Sequence, residues 1–219
     1  QFANELEKAA DFQTELQALI KKTLTEHQRI VFNGNGYDDA WVVEAEKRGL
    51  CNLKSTADAL PAYTVPKNVD LFTRHGIYTK EEIAARYEIH VENYVHIISI
   101  EATTMVDMIR RDLLPAVSGY ATDLCERVSS KSSCGVACKY ETATAAEIAG
   151  LTDTLLDACN QLEQDLAGLP GESGEAMNYC HKTLVPDMVK AREAADKLET
   201  LTASEYWPFP VYSDLLFYM

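Results

Sequence analysis

The sequence predicts an all-α protein: an elongated antiparallel bundle of long helices preceded by smaller helices and irregular segments. Residues 79–114 contain neither Gly nor Pro, and their apolar side chains recur every three or four residues, as on one face of a helix. Two further periodic stretches, 138–167 and 174–199, follow after short polar or glycine-containing turns. Long helices joined by short turns run antiparallel and pack along their length. The chain offers no convincing β-strand.

Smaller elements are predicted before the bundle. The periodicity predicts a helix over 5–31, which Asn33-Gly34-Asn35-Gly36 ends because Gly and Asn tolerate a positive φ. A short helix over 38–48 follows, with Asp38 at its positive end and Gly49 at the position of a C-terminal cap. The remainder is irregular, with helical turns near 56–60 and 67–74. We expect residues 1–78 to be small helices and a linker that pack against the bundle.

The bundle is predicted to occupy residues 79–203. Thr79 and Glu82 have the spacing of a capping box, which marks the start of the first long helix. Pro115 is expected to kink or end this helix, whose pattern resumes towards Val128, and the serine-rich run 129–133 reads as a polar break. Pro186 predicts a bend in the last helix. The stripe of the first helix comprises Ile83, Tyr87, Val91, Tyr94, Ile98, Met105 and Met108.

Residues 204–219 form an aromatic C-terminal tail. Two prolines, Pro208 and Pro210, prevent a regular helix there, and an exposed tail of this composition would be sticky. We expect it to pack on its own domain, with an interdomain or intersubunit contact as the alternative.

Composition excludes several classes of function. The chain of 219 residues carries a formal net charge of −14, which repels phosphate backbones, so we expect no nucleic acid partner. No stretch approaches the ~18 unbroken apolar residues of a membrane span. Residues 1–15 lack the order of a secretory signal, and six cysteines are too sparse for a disulfide scaffold. We therefore expect no membrane partner and a cytoplasmic location.

The cysteines give a weak indication of a metal site. Cys134 and Cys138 have C-x3-C spacing near Cys125, but a second ligand pair is missing, because Cys159 stands alone and Cys180 has only His181 beside it. We interpret them as small residues in a bundle seam, and a redox or metal role for Cys134 and Cys138 stays open.

Other polar residues are candidate ligands. His90, Glu92, His96 and Glu101 lie on one predicted helix but lack the Glu-x-x-His set of a di-metal bundle. Glu101 shares the face of Tyr94 and Met108, where a hydrogen bond or ion pair is favoured over a ligand role. The motif 33–36 follows a helix and lacks phosphate-loop spacing, so a turn is favoured. We predict no catalytic, cofactor-binding or metal residue in this chain.

Several separate phrases, in order, resemble one known family. They are FNGNGY (32–37), WVVEAEKRGL (41–50), TADALP (56–61), RYEI (86–89), ENY (92–94), IEA (100–102) and WPFPVYSDLLF (207–217). Together they are similar to the C-terminal helical region of type III glutamine synthetases, most weakly over 128–175.

This resemblance implies a parent enzyme of nitrogen metabolism that joins ammonia to glutamate through γ-glutamyl phosphate, with ATP and Mg²⁺ or Mn²⁺ as cofactors. The catalytic motifs of that family lie upstream, so the resemblance carries no catalytic residue onto these positions and implies that this piece alone is inactive. It further implies two partners, the upstream catalytic domain of the same chain and other subunits of a homo-oligomer. The alternative is a free-standing helical scaffold or interaction protein; a small metalloenzyme in the bundle is a third reading.

Overall fold

The computed structural model of the chain describes residues 2–216, and for Tyr212 and Ser213 it describes the backbone alone. Within this range every regular element is helical, which confirms the predicted all-α class. The chain divides into two compact units, Gln1–Lys54 and Ser55–Met219. No helix among the described residues is long and apolar enough to cross a membrane.

The first unit consists of short helices. They are α1 (Phe2–Leu6), α2 (Phe12–Glu26), a 3₁₀ turn (Gln28–Ile30) and α3 (Asp39–Lys47). The single helix predicted over 5–31 is wrong, because the Asp11 carboxylate accepts a hydrogen bond from the Gln13 N–H at 3.2 Å and starts a separate helix there.

The predicted short helix over 38–48 is confirmed as α3. Asp38 accepts from the Ala40 N–H at 3.0 Å, and Gly49 follows the helix with φ of 69°. The Asp38 carboxylate satisfies a backbone donor that the first turn leaves free, and only glycine adopts the left-handed cap without strain. These local signals fix both ends of the helix.

The glycine turn before α3 forms for a different reason from the one expected. Gly34 and Gly36 are not in the positive-φ region. Instead, a Cβ on Gly34 would lie 2.5 Å from Cζ of Phe32, so the ring can lie there only over a glycine. Phe32 stacks on Trp41 with 4.1 Å between ring centroids, and Arg48 donates to the Val31 carbonyl at 2.7 Å. Residues 33–36 are thus a turn packed against α3.

Three long helical segments build the bundle in the second unit. The first comprises α6 (Lys80–Met108), a π-helical turn (Ile109–Leu113) and α7 (Leu114–Ser133). The second is α8 (Lys139–Ala167). The third comprises α9 (Ser173–Tyr179), a second π turn (Cys180–Leu184) and α10 (Val185–Leu201). They are preceded by α4 (Thr56–Ala59), a 3₁₀ turn (Leu60–Thr64) and α5 (Pro66–Arg74), and followed by α11 (Tyr212–Leu216).

The start of α6 agrees with the sequence. The Thr79 hydroxyl accepts from the Glu82 N–H at 3.1 Å, while the Glu82 carboxylate accepts from the Thr79 N–H at 2.8 Å. This reciprocal pair is the predicted capping box. The Gly76 residue before it has φ of 64°, which stops α5.

The helix does not end at Pro115. Proline has no N–H and its ring clashes with the carbonyl four residues earlier. A π turn directly before it widens the helix, and the Leu114 N–H donates to the Ile109 carbonyl instead. The same arrangement precedes Pro186, where the Val185 N–H donates to the Cys180 carbonyl. Sequence periodicity predicted a disturbance at both prolines but not its form.

The polar break expected over 129–133 is also wrong, because α7 continues to Ser133. Lys131 in its last turn pairs with the buried carboxylate of Glu141 on α8. Gly135, with φ of 70°, then turns the chain. The ion pair holds the last turn of α7 against α8, which local serine content could not reveal.

The largest cluster of buried apolar residues lies between the long helices of the second unit. α8 lies between α7 and α10 and contributes fully buried residues to both neighbours. The inward face of α6 also differs from the predicted stripe, because Ala102 and Val106 are buried whereas Met108 is 38% exposed. Fully buried members of the cluster include Val117, Leu124, Ile148, Leu155, Cys159, Leu162, Cys180, Leu184 and Leu198.

The structural boundary between the units lies at residue 54, whereas the sequence pattern placed the start of the bundle at residue 79. Ala57 and Leu60 are buried together with Val91 of α6 and Met177 of α9 in a second apolar cluster. Residues 55–78 therefore belong to the same unit as the bundle. The predicted packing of residues 1–54 stays a prediction.

The aromatic tail packs on its own unit as far as Phe209. Tyr206, Trp207 and Phe209 contact the bundle core, and the Tyr206 ring lies 5.1 Å from that of Tyr120. Leu215 and Leu216 of α11 are exposed. Residues 217–219 of the predicted tail lie outside the described residues.

Replacing Leu155 with Ala is expected to lower the free energy of unfolding of the bundle by about 2–5 kcal/mol, because the cavity would lie at the centre of the core. The adjacent Leu156, which is 37% exposed, is the matched control, and Leu156→Ala should cost about 1 kcal/mol or less. Urea unfolding followed by circular dichroism measures both. Equal losses in the two variants would contradict the assignment of α8 as the central helix.

Candidate functional site

The second unit contains an apolar groove of about 490 Å³. It lies between the C-terminal half of α6, the first π turn, α10 and the tail residues 207–210. Its size falls in the range of small-molecule sites. Met105, Ile109, Leu113, Trp207, Phe209 and Pro210 supply most of its apolar lining.

The mouth of the groove is acidic. Three carboxylates, from Glu101, Asp196 and Glu199, line it together with the guanidinium of Arg192. The Nε atom of Arg192 lies 3.4 Å from Oδ2 of Asp196, so the one cation is already paired. Because these side chains are largely exposed, the pair contributes little to stability, but the negative charge at the mouth favours a cationic over an anionic ligand.

Glu101 is exposed at this mouth. Within residues 2–216 it has neither hydrogen bond nor ion pair, so the interaction favoured from sequence is absent there. The reason is the rotation of α6, which turns Ala102 and Val106 inward and leaves Glu101 at the edge of the stripe. Sequence periodicity predicted Glu101 on the inward face of α6, but Ala102, the next residue, lies on that face.

The groove has the apolar composition of a binding surface. Its lining contains no Ser, Cys, His or Lys side chain, and the Thr104 hydroxyl makes no hydrogen bond to any of the lining carboxylates. Nucleophilic and acid–base catalysis require a nucleophile within hydrogen-bond reach of a base. The arrangement can bury an apolar group and attract a positive charge.

The structure separates the cysteines considered as metal ligands. Cys159 and Cys180 are fully buried in the core, and burial raises the pKa of both thiols. Their interpretation as seam residues is confirmed. It is wrong for Cys125 and Cys134, which are exposed, and Cys138 is half-buried at the start of α8, where its Sγ lies 3.6 Å from the Ser132 hydroxyl. In the part of the chain that the structure describes, no three His, Cys, Asp or Glu side chains cluster as metal ligands.

The candidate histidines are also dispersed. His90 lies beside the Tyr63 ring, with 5.7 Å between centroids, and His181 is 3.9 Å from the Asp58 carboxylate. Glu92 and His96 are exposed along one side of α6 without a hydrogen bond or ion pair to each other. The structure does not bring these residues together into a site.

One polar cluster was missed by the sequence analysis. The Asp165 carboxylate of α8 accepts hydrogen bonds from Gln161 Nε2 at 2.7 Å and from the Tyr179 hydroxyl at 3.2 Å. The neighbouring Asp187, buried at the start of α10, accepts from Lys190 at 2.7 Å. The hydrogen bond from Gln161 lowers the pKa of Asp165, aided by the Asp187 and Tyr179 interactions and opposed by burial. No spacing signal links Asp165 to Tyr179 and Asp187, because the three residues lie on different helices, α8, α9 and α10.

Fold and groove together define the second unit as an all-helical bundle that carries an apolar groove. Comparison with known proteins specifies this further. The family model of the glutamine synthetase C-terminal domain matches residues 15–132. The chain is 39% identical, over 94% of its length, to a glutamine synthetase of Butyrivibrio fibrisolvens, and 31% identical, over 96%, to the type-3 glutamine synthetase of Dictyostelium discoideum.

A glutamine synthetase of Bacteroides fragilis (strain YCH46) is 26% identical over 91% of the chain. The chain spans 28–30% of the length of these relatives. It belongs to the glutamine synthetase C-terminal domain family, which confirms the resemblance to the type III enzymes noted from the sequence.

The Asp165 cluster makes a prediction about acid stability. Because the native pKa of Asp165 lies below its ordinary value of 3.8, the unfolded state binds this proton first as the pH falls. The stabilisation is therefore present above about pH 4 and is lost as the pH falls through the native pKa. Unfolding free energies are measured in urea between pH 7 and pH 2.5. Asp165→Asn should be less stable than the wild type at neutral pH, and the difference between the two proteins should vanish in acid.

Asp153→Asn serves as the control. Asp153 is exposed on the same helix and makes no hydrogen bond within residues 2–216. It should leave the acid limb of the stability curve unchanged. A pH-independent deficit for Asp165→Asn would show that the carboxylate acts through packing and not through its charge.

Proposed function

We propose that this chain is the non-catalytic C-terminal helical domain of a type III glutamine synthetase and that it serves assembly of the enzyme. The whole enzyme would ligate ammonia to glutamate through γ-glutamyl phosphate, using ATP and Mg²⁺ or Mn²⁺ bound in its upstream catalytic domain. The observation that carries the proposal is the match of at least 91% of the chain to glutamine synthetases of which it spans no more than 30%. A free-standing helical scaffold remains the alternative, and the parent reading frame distinguishes the two.

The surface of the second unit supports a role in assembly. Ile89, Ile97 and Ile100 are 61%, 44% and 52% exposed on the side of α6 that faces away from the core. They form a stripe that leads into the apolar groove, where Ile100 and Met108 are part of the lining. Adjoining exposed apolar side chains along one helix are typical of protein interfaces. We infer that another subunit of a homo-oligomer covers it.

The chemistry of the described residues supports the same reading. The groove offers binding surface without a nucleophile hydrogen-bonded to a base, so the bond-making step would belong to the upstream domain. All six cysteines are free thiols, the state that a reducing compartment maintains, which supports a cytoplasmic location for the enzyme.

In the full-length enzyme, the triple variant Ile89→Glu, Ile97→Glu and Ile100→Glu is expected to lower the particle mass measured by light scattering. Burial of three carboxylates in an apolar interface removes their hydration and costs a large free energy of desolvation. The subunits should therefore separate. The bundle itself should stay folded, because these side chains lie outside its core. The chain 1–219 alone should form no glutamine from glutamate, ammonia and ATP.

Ser118→Glu, Thr122→Glu and Ser129→Glu are the matched control. These exposed positions on α7 receive the same charge outside the apolar stripe, so the particle mass should not change. The assembly role is refuted if the isoleucine variant keeps both the mass and the activity of the wild type and removal of residues 55–219 changes neither. Ligase activity of the chain 1–219 would refute its non-catalytic status.

A further inference from the structure

The first unit has an amphipathic helix whose apolar face lacks cover within that unit. Phe12, Leu16, Ile20 and Leu24 recur every four residues along α2 and form one stripe. Phe12, Ile20 and Leu24 are 52%, 50% and 59% exposed. α1 packs on the neighbouring side of α2, around Ala18 and Leu19, and leaves this stripe open.

The unit as a whole contains no buried residue among positions 2–54. A helix of about 15 residues is marginal in water without tertiary packing, and a unit of this size seldom stabilises itself without a partner. The side chains of Phe32, Trp41 and Arg48 meet around α3 and leave α2 uncovered. The α2 stripe is therefore the part of the unit that most needs a partner surface.

We propose that the α2 stripe docks on an apolar surface of the catalytic part of the same polypeptide; this inference rests on the proposed function. The matched relatives extend for about 70% of their length outside the matched segment (100% minus 30%), and the family is that of a C-terminal domain, so most of this length precedes it. Unit Gln1–Lys54 then lies closer to the catalytic part along the polypeptide than unit Ser55–Met219 does. Covalent connection raises the effective concentration of such a contact far above that of any separate partner.

Amide hydrogen exchange tests the docking without any substitution. Residues 12–26 should exchange fast in the chain 1–219 and about tenfold more slowly, or slower still, in the full-length enzyme, because docking buries the helix. Residues 148–162 of α8 provide the internal reference and should be protected equally in both proteins. Equal exchange of residues 12–26 in the two proteins overturns the proposal, whether the helix is uncovered in both or covered in both.

A pair of variants locates the contact on the stripe. Ile20→Asp in the full-length enzyme should abolish the extra protection of α2, whereas Thr25→Asp, which adds the same charge on the opposite side of the helix, should preserve it. Protection of α2 in the chain 1–219 that rises with protein concentration would assign the stripe to a second copy instead. The readout differs from that of the assembly role, since α2 can be protected in a separated subunit and the particle can stay intact with α2 exposed.

Discussion

The structure depends on the burial of one helix between two others. α8 presents Ile148, Leu155, Cys159 and Leu162 to the interior, and all four side chains are fully buried. A helix buried to this depth on two sides requires apolar partners from both neighbours, which α7 and α10 supply. Burial of apolar area is the dominant favourable term in folding. The position of α8 therefore determines how long α7 and α10 must be and which of their faces must be apolar.

The two π turns follow from this constraint. Each inserts one extra residue into a helix and so rotates everything after it relative to everything before it. Ile109 and Leu113 in one turn, and Cys180 and Leu184 in the other, are all buried. The turns therefore bring the inward residues on both sides of each proline to the same core, while they relieve the clash that Pro115 and Pro186 would cause in a regular helix. A proline that reads as an interruption in the sequence is here compatible with a continuous packed face.

Local signals were sufficient for the helix class and for several termini. Thr79 with Glu82, Asp38 and Gly49 act through groups within a few residues, so their effect can be predicted from the sequence. Features that depend on a partner helix could not be predicted. The serine run of α7 stays helical beside the Lys131–Glu141 pair, and Glu101 lies at the surface because of the rotation of α6. The groove was beyond sequence reasoning as well, since its lining joins residues of α6, α10 and the tail.

The two units differ in what stabilises them, and this difference has consequences for the thermodynamics of the chain. The second unit has its own core of fully buried side chains, whereas no described residue of the first unit is buried. The free energy of local opening follows the amount of buried apolar contact, so the first unit should open at a far smaller cost than the second. A single unfolding transition then reports on the bundle. Two-state analysis should be applied to residues 55–216 alone, because only they have the buried core that makes unfolding cooperative. The first unit can unfold cooperatively with another part of the protein only if a surface of that part covers α2. The stability of the first unit would then depend on the part that provides this surface.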